Sequence, residues 1–370
     1  MFDIASIGIG ETYGLAFEHE WTPDSAPVDN RKVQMNPFRS GAVRVLALLV
    51  PAVLLLSACS TDPQNIFDAK SDFTVMIADL FWQIIWWAIG VFIVVEAALL
   101  YAIYRYRRRP GQGLPPQTHG NSRLEMAWTI APALVLASIA VPTVQGIFRT
   151  YEVPTGPDVV NIEVIGHQYW WEYRYPDNNV ITASELHVPA GRTVVLHIRS
   201  ADVIHSYWVP KLAAKRDAIP GHTNTLWFKT DAIGVYDGQC AEFCSLQHAN
   251  MRLKVFVQDQ ATFNQWLQAN ARPAVQPTGD VQQGSQLVLQ GTCAGCHTID
   301  GTNARGQTGP NLSHFGSRTT IAGGMLANTP ENLDHWLEDP QAIKPGSLMS
   351  AKVPNPQERQ AIIAYLQSLK

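Results

Sequence analysis

The 370 residues contain five cysteines, Cys59, Cys240, Cys244, Cys293 and Cys296, and each stands in a motif with a chemistry of its own. An odd number in an exported chain ordinarily leaves one thiol unexplained. Here none is left over for a structural disulfide. The densest cluster is Cys240-Ala-Glu-Phe-Cys244-Ser-Leu-Gln-His248-Ala-Asn-Met251, with His205 upstream in Val-Ile-His-Ser-Tyr-Trp-Val-Pro. Thiolate, imidazole and thioether together form a soft donor set suited to copper. Zinc tolerates two cysteines and two histidines but has little use for a thioether. The cysteine spacing of four also differs from the commoner zinc-knuckle spacing of three. A zinc site and a disulfide remain the competing readings.

The second constellation is Cys293-Ala-Gly-Cys296-His297, the attachment motif of a c-type haem. Two thiols within one helical turn can each add across a haem vinyl group, and the following histidine lies beneath the iron. In a cytosolic chain, C-x-x-C would point first to redox or zinc chemistry. An exported location, the immediate histidine and the domain-sized segment around the motif favour haem. Met325 and Met349 are the only methionines downstream and the candidates for the sixth iron ligand, with His314 a further alternative. A thioether ligand raises the haem potential.

These residues need elements to hold them. Short β-branched or alternating runs at Val159–Val164, Thr193–Ile198, Thr225–Phe228 and Leu253–Val257, punctuated by turns at 189–191 and 219–221, predict a β-sandwich or Greek-key barrel. Pro273 and Pro277 mark a linker over Arg272–Gly279, and Gln357–Leu369 reads as an amphipathic closing helix. Upstream, the apolar segments Val75–Tyr104 and Met126–Phe148 each exceed the ~20 residues that cross a bilayer. Arg105, Arg107, Arg108, Arg109 and Arg123 between them place that loop in the cytoplasm and everything after it in the periplasm. Glu96 sits deep in the first span as either a functional carboxylate or a hydrogen-bonding partner to another helix, and Pro132 and Pro142 should kink or end the second. Trp82, Trp86, Trp87 and Trp128 read as belt and packing residues.

The stretch from Met35 to Cys59 reads as a bacterial lipoprotein signal: Arg39 and Arg44, an apolar core, then Leu56-Ser57-Ala58-Cys59. A buried cysteine in a first membrane helix is the alternative. Residues 1–34 lack apolar periodicity and precede a methionine placed where a signal should start, so they are expected to be absent from the mature protein. The net charge of −4 shows no basic stripe for nucleic acid. His119, His167, His187, His197 and His222 fall outside the ligand spacings and read as ordinary polar residues.

The copper-type loop resembles the dinuclear copper A site of cytochrome c oxidase subunit II, a resemblance covering about residues 70–267. It implies that Cys240 and Cys244 bridge two coppers and that His205 and His248 each cap one. Met251 and the carbonyl of Glu242 would be weak ligands, with the Glu242 side chain holding magnesium at the junction with subunit I. Gly166-His167-Gln168-Tyr169-Trp170-Trp171 resembles the family's aromatic electron-entry patch, with Tyr169 where a tryptophan is usual. Lys215–Gly221 resembles a segment that packs on subunit I. Glu125-Met126-Ala127-Trp128-Thr129-Ile130-Ala131-Pro132 resembles the start of the second span, which makes Glu125 the candidate mouth of a proton path; a merely interfacial carboxylate is the other view. Met349, in Lys344-Pro345-Gly346-Ser347-Leu348-Met349, resembles the distal-ligand loop of class I cytochromes c, and Pro310 the proline that packs against the proximal histidine.

The resemblance therefore implies a multi-domain membrane protein: a two-helix transmembrane hairpin, a cupredoxin-like Greek-key β-barrel and an all-α cytochrome c domain. The expected divisions are 35–58 signal, 70–150 hairpin, 151–270 copper domain, 271–279 linker and 280–370 haem domain. Such a chain, in the bacterial inner membrane, would pass electrons from cytochrome c or a membrane-associated donor through haem c and two coppers to subunit I, with subunit III a further partner. Oxygen chemistry would lie in subunit I. A quinol oxidase subunit lacks the copper ligands, a nitrous-oxide reductase does not suit the hairpin and fused haem, and a tethered electron carrier or copper-handling protein would not require Glu96 and Glu125.

Overall fold

The structure, a computed structural model, describes Val50 and residues 64–111, 113, 117, 119–273, 279 and 281–370. Residues 1–34, Cys59, the signal segment apart from Val50, and linker residues 274–278 and 280 lie outside the described residues.

Two long helices come first, α1 (Asp72–Tyr106) and α2 (Ser122–Tyr151), with mean hydropathies of 2.2 and 1.8 over their most apolar stretches. Ser71 starts α1 by accepting from the Thr74 amide while the Thr74 hydroxyl accepts from the Ser71 amide, a reciprocal cap. Asn121 caps α2, its side chain accepting from the amides of Arg123 and Leu124. Their apolar faces are open and match a lipid surroundings rather than a protein core. Of the expectation that Pro132 and Pro142 kink or end the second helix, the ending is corrected, because α2 continues through both. Proline removes the bond to the carbonyl four residues back. For Pro142 that carbonyl belongs to Ser138, and Gln83 Nε2 of α1 donates to it at 3.1 Å. Membrane helices keep prolines when a neighbour satisfies the freed group in this way.

The β domain consists of β1 (Val159–His167), β2 (Trp170–Tyr175), β3 (Val180–Ala183), β4 (Glu185–Pro189), β5 (Thr193–Ser200), β6 (His205–Val209), β7 (Ala213–Ala218), β8 (Asn224–Lys229), β9 (Gly234–Cys240) and β10 (Arg252–Gln258). They form two five-stranded sheets, ordered β3-β2-β1-β5-β8 and β4-β10-β9-β6-β7. β1 and β5 run parallel, as do β4 and β10, and the other pairs are antiparallel. The inward faces, with Ile162, Val164, Trp171, Tyr173, Leu196, Leu226 and Val255, close over a single core. Helix α3 (Gln260–Asn270) packs Phe263 and Leu267 onto the same core.

The C-terminal domain is helical: α4 (Gln282–Gln290), the single turn α5 (Cys293–Cys296), α6 (Pro330–Glu338), α7 (Pro340–Ile343) and α8 (Pro356–Ser368), with a small ribbon of β11 (Thr320–Ile321) and β12 (Leu326–Ala327). Val288, Leu333, Trp336, Leu337, Ile362, Ile363 and Leu366 make a second core. From residue 64 on, the described residues form one compact unit, in which the helical domain rests on the β domain.

Candidate metal and haem sites

His205 opens β6 and Cys240 closes β9, and these strands pair with Tyr207 opposite Cys240. The loop between β9 and β10 then folds back over them. It is pinned by the Cys240 amide donating to the Met251 carbonyl at 2.9 Å and the Ala241 amide to the Ser206 carbonyl at 2.8 Å. The consequence is a compact ring of donors around the two sulfurs. Cys240 Sγ lies 3.9 Å from both Cys244 Sγ and His205 Nδ1, and 3.3 Å from the Glu242 carbonyl oxygen. Cys244 Sγ lies 3.8 Å from His248 Nδ1 and 3.9 Å from Met251 Sδ. Donors bound to one metal at about 2.0–2.3 Å sit roughly 3–4.5 Å apart, so these gaps fit shared metal. His205, Cys240 and Met251 are buried, so the ring is closed to bulk water on that side.

Electrostatics prepare the donors. The contact with Cys244 holds the Cys240 thiol well below its ordinary range, and the same contact together with burial pushes Cys244 up. A metal takes the thiol proton's place. Burial opposes charge on His205, but hydrogen bonding to Asp202 and Cys240 outweighs it and raises its pKa. His205 Nε2 lies 2.7 Å from Asp202 Oδ1, which fixes the ring so that Nδ1 faces the thiolate. Asp202 Oδ2 accepts from the Gln168 amide at 2.6 Å, and Gln168 Nε2 donates to the Cys244 carbonyl at 2.8 Å. Asp202 and Gln168 thus brace both ends of the donor ring.

In the helical domain, Cys293, Cys296, His297 and Met349 line a cavity of about 460 Å³, otherwise walled mostly by apolar groups such as Val288, Leu333 and Leu366. That is the size and character of a pocket for a large apolar ring. His297 Nδ1 donates to the Pro310 carbonyl at 2.8 Å, and burial lowers the ring's pKa, favouring the neutral form an iron ligand needs. Gly309 lies against the ring: a Cβ there would stand 2.5 Å from His297 Cε1. Met325 does not line the cavity, and His314 is buried elsewhere with Nε2 donating to the Arg272 carbonyl at 2.9 Å. Gln168, Tyr169 and Trp170 of the β domain complete the cavity wall.

The chain matches the family descriptions "Cytochrome C oxidase subunit II, transmembrane domain" over residues 60–145, "Cytochrome C oxidase subunit II, periplasmic domain" over 180–258 and "Cytochrome c" over 281–370. Cytochrome c oxidase subunit 2 of Alkalihalophilus pseudofirmus is 38% identical over 287 residues, covering 76% of this chain and 83% of the relative. Its counterpart in Bacillus subtilis is 32% identical over 357 residues, covering 88% and 98%. Among solved structures, the periplasmic domain of subunit II of cytochrome oxidase of Bradyrhizobium japonicum is 32% identical and covers 32% of this chain and 96% of its own, with a TM-score of 0.31. The chain belongs to the cytochrome c oxidase subunit II family and carries a cytochrome c domain at its C-terminus. It is accordingly a membrane subunit of a haem-copper oxidoreductase, with copper- and haem-binding domains outside the membrane.

The site residues read from sequence fall into three groups. His205, Cys240, Glu242, Cys244, His248 and Met251 come together, and so do Cys293, Cys296, His297 and Met349. Glu242 is exposed and contributes its carbonyl alone to the ring. Glu125 stands apart at the start of α2, where its carboxylate accepts from the Asn121 amide at 3.1 Å. Sequence reasoning gave Gln168 and Lys344 no role of their own within their motifs and missed Asp202 and Glu185, of which Asp202, three residues before His205, carried a local signal.

Proposed function

We propose that this chain is the electron-entry subunit of a bacterial cytochrome c oxidase, holding a dinuclear copper A centre and one covalent haem c. When bound, these groups supply one-electron carriers, which deliver electrons from a cytochrome c or membrane-associated donor to the oxygen-reducing subunit I. The donor ring of His205, Cys240, Cys244, His248 and Met251 carries this reading, because five soft donors at metal-sharing distances match no structural role of a β-sandwich. In that reading Cys240 and Cys244 bridge, and His205 and His248 cap. The Met251 thioether and Glu242 carbonyl stand at the two weak positions. Two strands and a pinned loop hold all of these donors, so little rearrangement accompanies electron gain or loss.

For the haem, Cys293 and Cys296 provide thioether attachment, His297 the proximal nitrogen and Met349 the distal sulfur. Pro310 and Gly309 set the angle of the proximal ring. Tyr169 and Trp170, which border the cavity, are at the same time the residues next to the copper-ring brace Gln168. This corner therefore touches both sites.

The wider reading follows the arginine-rich loop and the family: 35–58 a lipoprotein-type signal ending at Cys59, 70–150 the hairpin, 151–270 and 280–370 in the periplasm. The Glu242 side chain is assigned to magnesium at the subunit I junction, and Glu125 to the entrance of a proton path in the same subunit, with subunit III a further neighbour. The test is affinity purification of the tagged full chain from its native membrane. Recovery with a large haem-bearing membrane subunit and cytochrome c oxidising activity is expected. Recovery of the chain alone, loaded with copper and haem, would replace this reading by a tethered electron carrier.

A further inference from the structure

Lys344 is 2% exposed, five residues before Met349, yet it faces no solvent and spends its ammonium on backbone. Its Nζ donates to the carbonyls of Tyr169 at 3.0 Å, Asn250 at 3.0 Å and Ala322 at 2.8 Å. An ammonium has three donors, so all are used. The three acceptors belong to three different pieces of the fold. Tyr169 is in the aromatic corner that walls the haem cavity, Asn250 immediately precedes the copper-ring residue Met251, and Ala322 follows β11 of the helical domain. Burial pushes the lysine's pKa down to about 7.

Independent contacts surround this point. Glu185 of β4 is 2% exposed, and its Oε1 accepts from the amides of Thr319 and Thr320 at 2.9 and 2.6 Å and from their hydroxyls at 2.8 and 2.7 Å. The Arg252 amide, at the start of β10, donates to the Gly323 carbonyl at 2.9 Å. Gly323 has φ +73°, and a Cβ there would stand 2.8 Å from Lys344 Nζ and collide with the Tyr169 carbonyl. Domains of one chain ordinarily meet through modest, rather polar surfaces and move relative to one another. A caged ammonium and a carboxylate with four donors are the opposite: each is buried at a cost that its full set of hydrogen bonds across the contact must offset.

We propose that Lys344 is a positioning residue that locks the helical domain onto the copper-ligand loop, so that the two cofactor domains move as one body. The lock rests on the reading that these domains hold copper and haem, because its consequence is a fixed spacing between the two sites. Lys344→Met would leave three buried carbonyls facing an apolar chain, while Gly323→Ala would force the Tyr169 carbonyl away from the same point.

The experiment is amide hydrogen exchange on the full chain in its purified complex, with covalent haem measured on the same samples. Lys344→Met and Gly323→Ala should each raise exchange at Arg252, Thr319 and Thr320 by at least tenfold, with amides of β1, β5 and α8 unchanged and haem content intact. Lys344→Arg, which keeps charge and donors, should raise it less than Lys344→Met. Unchanged exchange at the three interface amides in both primary variants would overturn the proposal. Equal acceleration in α8 would also overturn it, since Lys344 would then serve only the folding of the helical domain. Absence of haem from the parent chain would instead defeat the functional reading, and the exchange comparison would still decide the lock.

Discussion

Replacing Asp202 by asparagine keeps the side chain's shape and removes its ability to accept on both oxygens. Asp202 Oδ1 takes His205 Nε2 at 2.7 Å and the Val203 amide at 2.6 Å, while Oδ2 takes the Gln168 amide at 2.6 Å. An asparagine must turn its NH2 toward one side or the other. Facing Gln168, it sets donor against donor and releases the corner that holds the Cys244 carbonyl. Facing His205, it removes the acceptor of a ring that is fully buried. Either way one charge-assisted hydrogen bond is lost, at about 1.5–3 kcal/mol. A tenfold change in an equilibrium constant corresponds to about 1.4 kcal/mol, so copper should be held roughly 10- to 100-fold less tightly, the usual cost of losing an outer partner of a metal-binding histidine. The assay is competition for copper between the purified full chain and a chelator of known affinity, read by the copper absorption bands. Retention within twofold of the parent, with an unchanged spectrum, would refute the bracing role of Asp202 and with it the assignment of His205 as a ligand.

Other outcomes follow from the same geometry. Gly309→Ala should keep the covalent haem but push the His297 ring off its Pro310 bond, so the fraction of six-coordinate low-spin haem in the optical spectrum should fall markedly. Met349→Leu should lower the haem potential by at least about 59 mV, a tenfold change for one electron, in a spectroscopic redox titration, whereas Met325→Leu should leave it in place. Gln83→Leu uncaps the Ser138 carbonyl freed by Pro142 and should destabilise the helix pair by about 0.6 kcal/mol, measured by unfolding in mixed micelles.

Sequence made the chemistry more legible than its surroundings. The copper ligands lie within one loop plus His205, and the haem thiols within one turn, so residue type and short spacing were enough to group them. Hydropathy likewise marked both long helices, and β-branched runs marked β1, β5, β8 and β10. The supports were hidden because they depend on tertiary neighbours. Lys344 reaches Tyr169 across 175 positions, and Glu185 reaches Thr320 across 135, so no local pattern announces either. The continuity of α2 through Pro142 was hidden for the same reason: the group that satisfies the freed Ser138 carbonyl sits on a different helix. Glu125 shows the converse limit, since a carboxylate in the first turn of a helix already has a capping use before any proton path is assigned to it.

A donor ring that holds two coppers sharing one electron, beside a covalent haem, is open to a direct test by metal and haem analysis of the purified full chain together with its electron paramagnetic resonance spectrum. Two coppers and one covalent haem per chain, with hyperfine structure from an electron delocalised over both coppers, are expected. One localised copper, or zinc without a delocalised signal, would contradict the account and return the chain to the class of single-metal carriers.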